Sequence, residues 1–170
     1  ALQDDAVRIQ YAEGQMREMP EMVYEQTEAK VALKKIEADG KTAFLTDGMT
    51  IVLDPAAETV QIADRNGKKV FKATSHELKD AMVQGEATRE ATLTLDSPED
   101  EYLYGLGQFQ DGFLNVKGLT RRLTQVNTQI SIPFILSSKG YGLLWNNYGL
   151  TDFNPADKSV KMERAEAKGE

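Results

Sequence analysis

Between residues 30 and 95 the chain repeats one short figure, and the repetition leaves few folds open. A brief run alternates apolar and polar side chains, a turn follows, and another run begins. Residues 30–36 carry Val31, Leu33 and, after a slip of phase, Ile36, and Asp39-Gly40 then gives a tight hairpin signal. Residues 42–46, a turn at Asp47-Gly48, and residues 50–54 come next, before Pro55-Ala56-Ala57 turns the chain. Residues 59–64 put Val60 and Ile62 on one face; Asn66-Gly67 predicts a type I′ turn, and residues 69–72 pair back through Val70 and Phe71. Residues 88–95 set Ala91, Leu93 and Leu95 against Glu90, Thr92 and Thr94. Period-two runs about 8–12 residues apart, with turn chemistry between them, predict an all-β antiparallel sandwich or barrel.

Three segments read less plainly. Residues 6–11 alternate Val7, Ile9 and Tyr11 with Arg8 and Gln10, which predicts a half-buried strand. Residues 13–28 are rich in Met and Glu, but Pro20 argues against a long helix, so they read as a loop with at most a short strand or turn. Residues 75–84 fit either a helix capped by Ser75, with Leu78 and Met82 on one face, or an extended edge segment.

A chain of 170 residues suits one domain. At that size folding buries roughly 70% of the unfolded surface, so no covalent staple is needed. The net charge of -7 would repel phosphates, which argues against nucleic acid and, more weakly, against an anionic membrane surface. With no cysteine, a disulfide framework, a thiol nucleophile and a Cys-ligated zinc site are all excluded. No apolar run is long enough to span a membrane as a helix. No leader pattern is visible, and the first residue is Ala; a trimmed signal peptide or an engineered start would each explain that.

The acidic clusters Asp4-Asp5 and Glu99-Asp100-Glu101 read as solvated turns, because adjacent strand residues point to opposite faces and make no acid/base pair. His76 stands alone, so it builds no multi-histidine metal site and lacks a positioned catalytic partner; a surface position is expected. Chemistry, if any, belongs to residues 102–155. They hold the only tryptophan, nine of the aromatic residues and seven of the glycines. Tyr104-Gly105-Leu106-Gly107 lacks the third glycine and following helix of a nucleotide loop, and reads instead as a bend where a side chain would clash. Most of the aromatics read as packing, with Trp145 and Tyr148 the candidates for stacking on a sugar ring. Amides are dense here too (Gln108, Gln110, Asn115, Gln125, Asn127, Gln129, Asn146 and Asn147), and an amide both donates to and accepts from sugar hydroxyls, or equally a turn backbone. Strands are predicted over residues 102–107, 119–126, 132–137 and 142–146.

Three motifs in this order, Tyr104-Gly105-Leu106-Gly107-Gln108, then Ser131-Ile132-Pro133-Phe134, then Tyr141-Gly142-Leu143-Leu144-Trp145-Asn146-Asn147, resemble the N-terminal domain of glycoside hydrolase family 31. The turns at Asp47-Gly48 and Asn66-Gly67 agree, and the resemblance covers roughly residues 6–155. It implies a β-sandwich of galactose-mutarotase type over residues 1–158, incomplete at its C-terminus if last strands lie beyond an insert. Residues 159–170 would be a charged tail leading towards a further module, such as the PA14-type insert of some relatives.

Family members are retaining α-glycosidases, among them α-xylosidases and α-glucosidases. Their two catalytic aspartates stand on a (β/α)8 barrel of about 250 residues, with carboxyl groups about 5–5.5 Å apart. The resemblance therefore implies a non-catalytic domain that supports its own C-terminal barrel and borders the pocket for an oligosaccharide substrate. No residue here takes a catalytic role, and no cofactor or metal is expected. The pocket-wall candidates are Asn127, Thr128 and Gln125. Many relatives place Asp where Asn127 stands; the amide keeps the hydrogen bonds and loses the charge. The implied compartment is the periplasm or the exterior, with the cytoplasm left open as the alternative. A stand-alone carbohydrate-binding module using Trp145 and Tyr148 is the alternative. A mutarotase-type epimerase would want a positioned base and acid that one histidine does not supply. A purely structural assembly domain would show a large exposed apolar patch.

Overall fold

A computed structural model describes residues 1–12, 14–15, 20–24 and 31–155. Most of residues 13–28, and the charged tail expected from Ser159, fall outside them. The described structure is all β and antiparallel, with eleven strands. No helix among these residues is long and apolar enough to cross a membrane. Two compact units are present: Ala1–Glu101 with Lys139–Tyr141, and Tyr102–Ser138 with the chain from Gly142 on.

The first unit is a six-stranded sheet in simple sequence order: β1 (Lys34–Ala38), β2 (Lys41–Leu45), β3 (Met49–Asp54), β4 (Thr59–Asp64), β5 (Lys69–Val83) and β6 (Glu86–Leu95). Register partners share a face, so two rows of apolar side chains cross it. Phe44, Ile51, Ile62 and Phe71 form one row; Leu53, Val60, Ala73 and Leu95 form the other. Met49, Ile51, Val60 and Ala73 are buried at the centre. Burying a Val or Ile side chain contributes about 1.5–3 kcal/mol, so these rows carry much of the unit's stability. The β1 edge, with Lys34, Lys35 and Glu37, is exposed and charged, which discourages pairing with another chain.

Several expectations change here. Residues 75–83 are extended and not a capped helix: they complete β5, and beyond Ala73 that strand pairs with β6 alone, so its other side is an edge, as the second reading expects. Gln84 and Gly85, both left-handed (φ 53° and 86°), close that hairpin as a type I′ turn requires. Thr88, Thr92 and Thr94 opposite favour the pleat, and the pairing overrides local helix propensity.

At Asn66-Gly67 only the glycine is left-handed (φ 79°), so the turn is not type I′. The Asp64 carboxylate accepts the N–H groups of Asn66 (2.8 Å) and Lys68 (2.9 Å), which draws the turn into the type I form followed by a left-handed glycine. Residues 7–12 form no strand, although Val7 still packs on the core. The N-terminus is held at the β2–β3 turn instead, where the Thr46 hydroxyl donates to the Asp4 carbonyl. A side chain on Gly48 would sit 2.4 Å from that carbonyl.

The second unit holds β7 (Leu103–Gln108), β8 (Arg121–Leu123), β9 (Ile130–Ser137), β10 (Tyr141–Leu144, which begins in the first unit) and β11 (Thr151–Phe153). Strand order is β10-β9-β7, with β11-β8 as a separate pair. The predicted strand over residues 119–126 shrinks to β8, and β11 was not anticipated: three residues show no periodicity. The β7–β9 ladder is irregular. Gly105 faces Ile135 and Gly107 faces Ser131, so Ile132, Pro133 and Phe134 stand opposite Leu106 alone. Pro133 has no N–H to give a ladder, and it sits in this bulge.

Candidate functional site

The β7–β9 irregularity explains the tyrosine-glycine motif. Gly105, Leu106 and Gly107 all have positive φ (116°, 67° and 98°). An added Cβ would lie 2.4 Å from the Phe134 carbonyl at Gly105 and 2.1 Å from the Ile130 carbonyl at Gly107. Leu106 takes a strained conformation and is 2% exposed, so burial of its side chain offsets the strain. The bend read from the sequence is thus a close approach of two backbones, with no phosphate loop.

Where β7 ends, Gln108 pairs with Ile130, and the chain before Ile130 is the loop that carries the pocket-wall candidates. That loop is closed by its own polar groups. The Gln125 side-chain carbonyl accepts the Ser131 N–H (3.0 Å), while the Ser131 hydroxyl (2.7 Å) and the Gln129 amide (2.9 Å) both donate to the Thr124 carbonyl. Val126 and Gln129 bridge, leaving Asn127-Thr128 as a two-residue turn with both side chains exposed. The three candidates therefore divide: Gln125 braces the loop, and Asn127 and Thr128 are presented at its tip.

Trp145 and Tyr148 lie on a different segment, after β10. The Trp145 N–H donates to the Pro133 carbonyl (2.8 Å), three residues along β9 from Ile130, roughly 10 Å at strand spacing. Trp145 is half-buried, and Tyr148 is 56% exposed.

Asp111 and Arg121 were missed by sequence reasoning, because they are ten residues apart across a loop and belong to no motif. Arg121 is 7% exposed, its Nη2 donates to the Asp111 carboxylate, and its guanidinium lies 4.3 Å from the Phe109 ring centre. The Phe113 N–H, and then the Arg121 contact, hold the Asp111 carboxyl below the usual carboxylate range. Asn115 ties the same loop to β7: its side-chain carbonyl accepts the N–H groups of Leu103 and Lys117 (each 3.1 Å). The Arg121-Arg122 pair in the sequence was the available signal; Arg122 grips Asp152 at two points (2.8 and 2.9 Å).

Asp111 and Asp152 are the only carboxylates among the described residues of this unit. Both are committed to arginines, an arrangement that binds and orients but does not shuttle protons. In the first unit, Glu101 corrects the reading of its cluster as a solvated turn. It is 1% exposed and accepts the Ser97 hydroxyl (2.6 Å), while Asp100 pairs with Lys139. His76 sits half-buried on β5 with its ring against Tyr11, a packing position where a surface one was expected. Among the described residues no group of three or more acidic or histidine side chains is placed to hold a metal ion.

The family description "Glycosyl hydrolase 31 N-terminal galactose mutarotase-like domain" matches residues 1–154. The chain belongs to glycoside hydrolase family 31. An α-xylosidase of Saccharolobus solfataricus is 29% identical over 145 residues, 76% of this chain and 20% of its own. A family 31 glucosidase of Pseudescherichia vulneris is 50% identical over 56 residues, 33% of this chain and 11% of its own. Among solved structures, a family 31 α-xylosidase from Xanthomonas citri superposes with a TM-score of 0.67 at 32% identity, covering 71% of this chain and 13% of its own. A soil-metagenome family 31 α-xylosidase complexed with xylose gives 0.64 at 28% identity, covering 79% of this chain and 23% of its own. The family 31 chain thus spans a fifth or less of the length of those two curated relatives.

Proposed function

We propose that residues 1–158 act as the non-catalytic N-terminal domain of a retaining α-glycosidase, an α-xylosidase or α-glucosidase that acts on oligosaccharides. Its partner is the chain's own (β/α)8 catalytic barrel, and its task is to support that barrel and border its sugar pocket. The observation that carries this reading is the Asn127-Thr128 turn: two exposed hydrogen-bonding side chains at the tip of a loop that Gln125, Gln129 and Ser131 hold in place. Pre-organised polar groups of this kind fix a hydroxylated ligand at small entropic cost. Both solved relatives named above are α-xylosidases, which favours xylose over glucose as the sugar removed.

The test uses the full-length protein and an aryl α-xyloside. Asn127→Ala is expected to raise KM about tenfold, the value of one good hydrogen bond at about 1.4 kcal/mol, with the fold intact. The 170-residue chain alone is expected to give no turnover. Unchanged kinetics in Asn127→Ala would overturn the pocket-wall role, and turnover by the chain alone would overturn the non-catalytic assignment.

The exposure of Tyr148 favours one second reading, a carbohydrate-binding surface of Trp145 and Tyr148. It requires sugar binding that Trp145→Ala abolishes in a folded chain. Export to the periplasm or the exterior, where oligosaccharides are first met, is part of the proposal. Fractionation of cells that make the full-length protein tests it, and recovery in the cytosol would contradict it.

A further inference from the structure

The loop between β7 and β8 lines a half-open cavity of about 210 Å3 that shares no residue with the Asn127-Thr128 turn. It is lined by Gln108, Phe109, Asp111, Phe113, Leu114 and Arg121, together with Gly105 and Gly107 of β7. Arg121 is the unusual member. A guanidinium carries five N–H donors. Here it is 7% exposed, Nη2 reaches Asp111, and Nε is buried with no hydrogen-bond partner. Phe109 covers one face of the guanidinium and Asp111 holds its end, so the group is fixed in place with its Nε donor unfilled. Buried donors are ordinarily satisfied, and an orphan beside a cavity calls for an explanation.

We infer that this cavity is a second binding site, for one monosaccharide or a polyol of similar size. The volume lies below the range of about 300–1,000 Å3 usual for drug-sized ligands, which points to a single ring and not an oligosaccharide. The charge points to a neutral ligand: Asp111 already balances Arg121, and its carboxylate would repel an anion. The remaining groups are those that hold vicinal hydroxyls: an amide that donates and accepts at Gln108, a carboxylate and a guanidinium. Phe113 and Leu114, 60% and 79% exposed, offer apolar surface to the C–H face of a ring at the mouth. The cavity is lined by this chain's own residues and shares none with the Asn127-Thr128 turn, so it is tested separately from the pocket-wall reading.

The test is an NMR titration of the isotope-labelled 170-residue chain with xylose, and separately with inorganic phosphate. Xylose is expected to give saturable shifts at the Gln108 side-chain amide, the Phe109 backbone and the Arg121 Nε–H. Gln108→Ala, at an exposed position, is expected to weaken binding about fivefold or more while leaving the spectrum otherwise folded; Arg121→Lys, which keeps the charge and loses the planar donors, should abolish it. No saturable shift with xylose overturns the inference. So do shifts confined to residues 127–129 or 145–148, which would place the sugar elsewhere. Saturation by phosphate and not by xylose would overturn the neutral ligand class.

Discussion

The two units solve the problem of building a sheet in opposite ways. In the first, each strand pairs with the next in sequence, and two straight rows of apolar residues run across the register. In the second, β7 pairs with β9 across more than twenty residues of intervening chain, and the ladder breaks at a run of three left-handed residues. The first arrangement is made by repetition of ordinary side chains. The second is made by removing side chains where two backbones meet, and by polar contacts between residues far apart in sequence. The candidate binding groups all lie in the second, on loops that the irregular ladder positions. Regularity here serves stability, and departures from it serve placement.

Gly107→Val tests this contrast most severely. Its side chain would start 2.1 Å from the Ile130 carbonyl at a φ of 98°. A loss of about 4 kcal/mol or more is expected in urea unfolding, since strain and backbone clash combine. Amide dispersion should vanish across residues 102–153 first. A loss below about 1 kcal/mol would show that the ladder tolerates a side chain there and would erase the distinction between the units.

Gly85→Ala is the matched control from the meander. Gly85 is also left-handed, at φ 86°, but an added Cβ meets nothing within 4 Å. Only the conformational penalty remains, about 1–2 kcal/mol.

The smallest effect is one of pH. Asp64 in the first unit and Asp111 in the second both titrate below the usual value of 3.8, chiefly because backbone N–H groups of Lys68 and Phe113 donate to their carboxylates. A carboxyl depressed in the folded state adds stability that is fully present above its unfolded pKa. That stability is lost as pH falls through the folded value. Acidification below pH 3.8 should therefore loosen both turns, and the Lys68 and Phe113 amide shifts should follow the titration. Midpoints at or above 3.8 would contradict the depressed carboxyls.

The same contrast decides what could be read in advance. Residues 59–64 were legible to the residue, because Val60 and Ile62 alternate and a turn follows on each side. The family was legible because three motifs kept their order between Tyr104 and Asn147. The outer half of β5 was not, since Ser75, Leu78 and Met82 also satisfy a helix, and only the pairing with β6 decides. The turn at Asn66 was misjudged because the deciding group is the Asp64 carboxylate, outside the dipeptide. The Asn127-Thr128 turn was found through resemblance, and its bracing by Gln125 was not. Asp111 and Arg121 were hard to read for a physical reason: an ion pair across a ten-residue loop has no periodicity, and the adjacent Arg121-Arg122 was its one mark in the sequence.

The left-handed run at Gly105-Leu106-Gly107 also bears on the order in which the chain acquires structure. Two glycines and a strained leucine give β7 little tendency to extend by itself. It must wait for β9, and closing so long a loop is slower than closing the hairpins of the meander. On a ribosome, strands β1 to β6 can pair as each one emerges, while β7 stays open until Ser137 has been made. During that interval the sequence most exposed to misassembly is the one that carries the candidate binding groups.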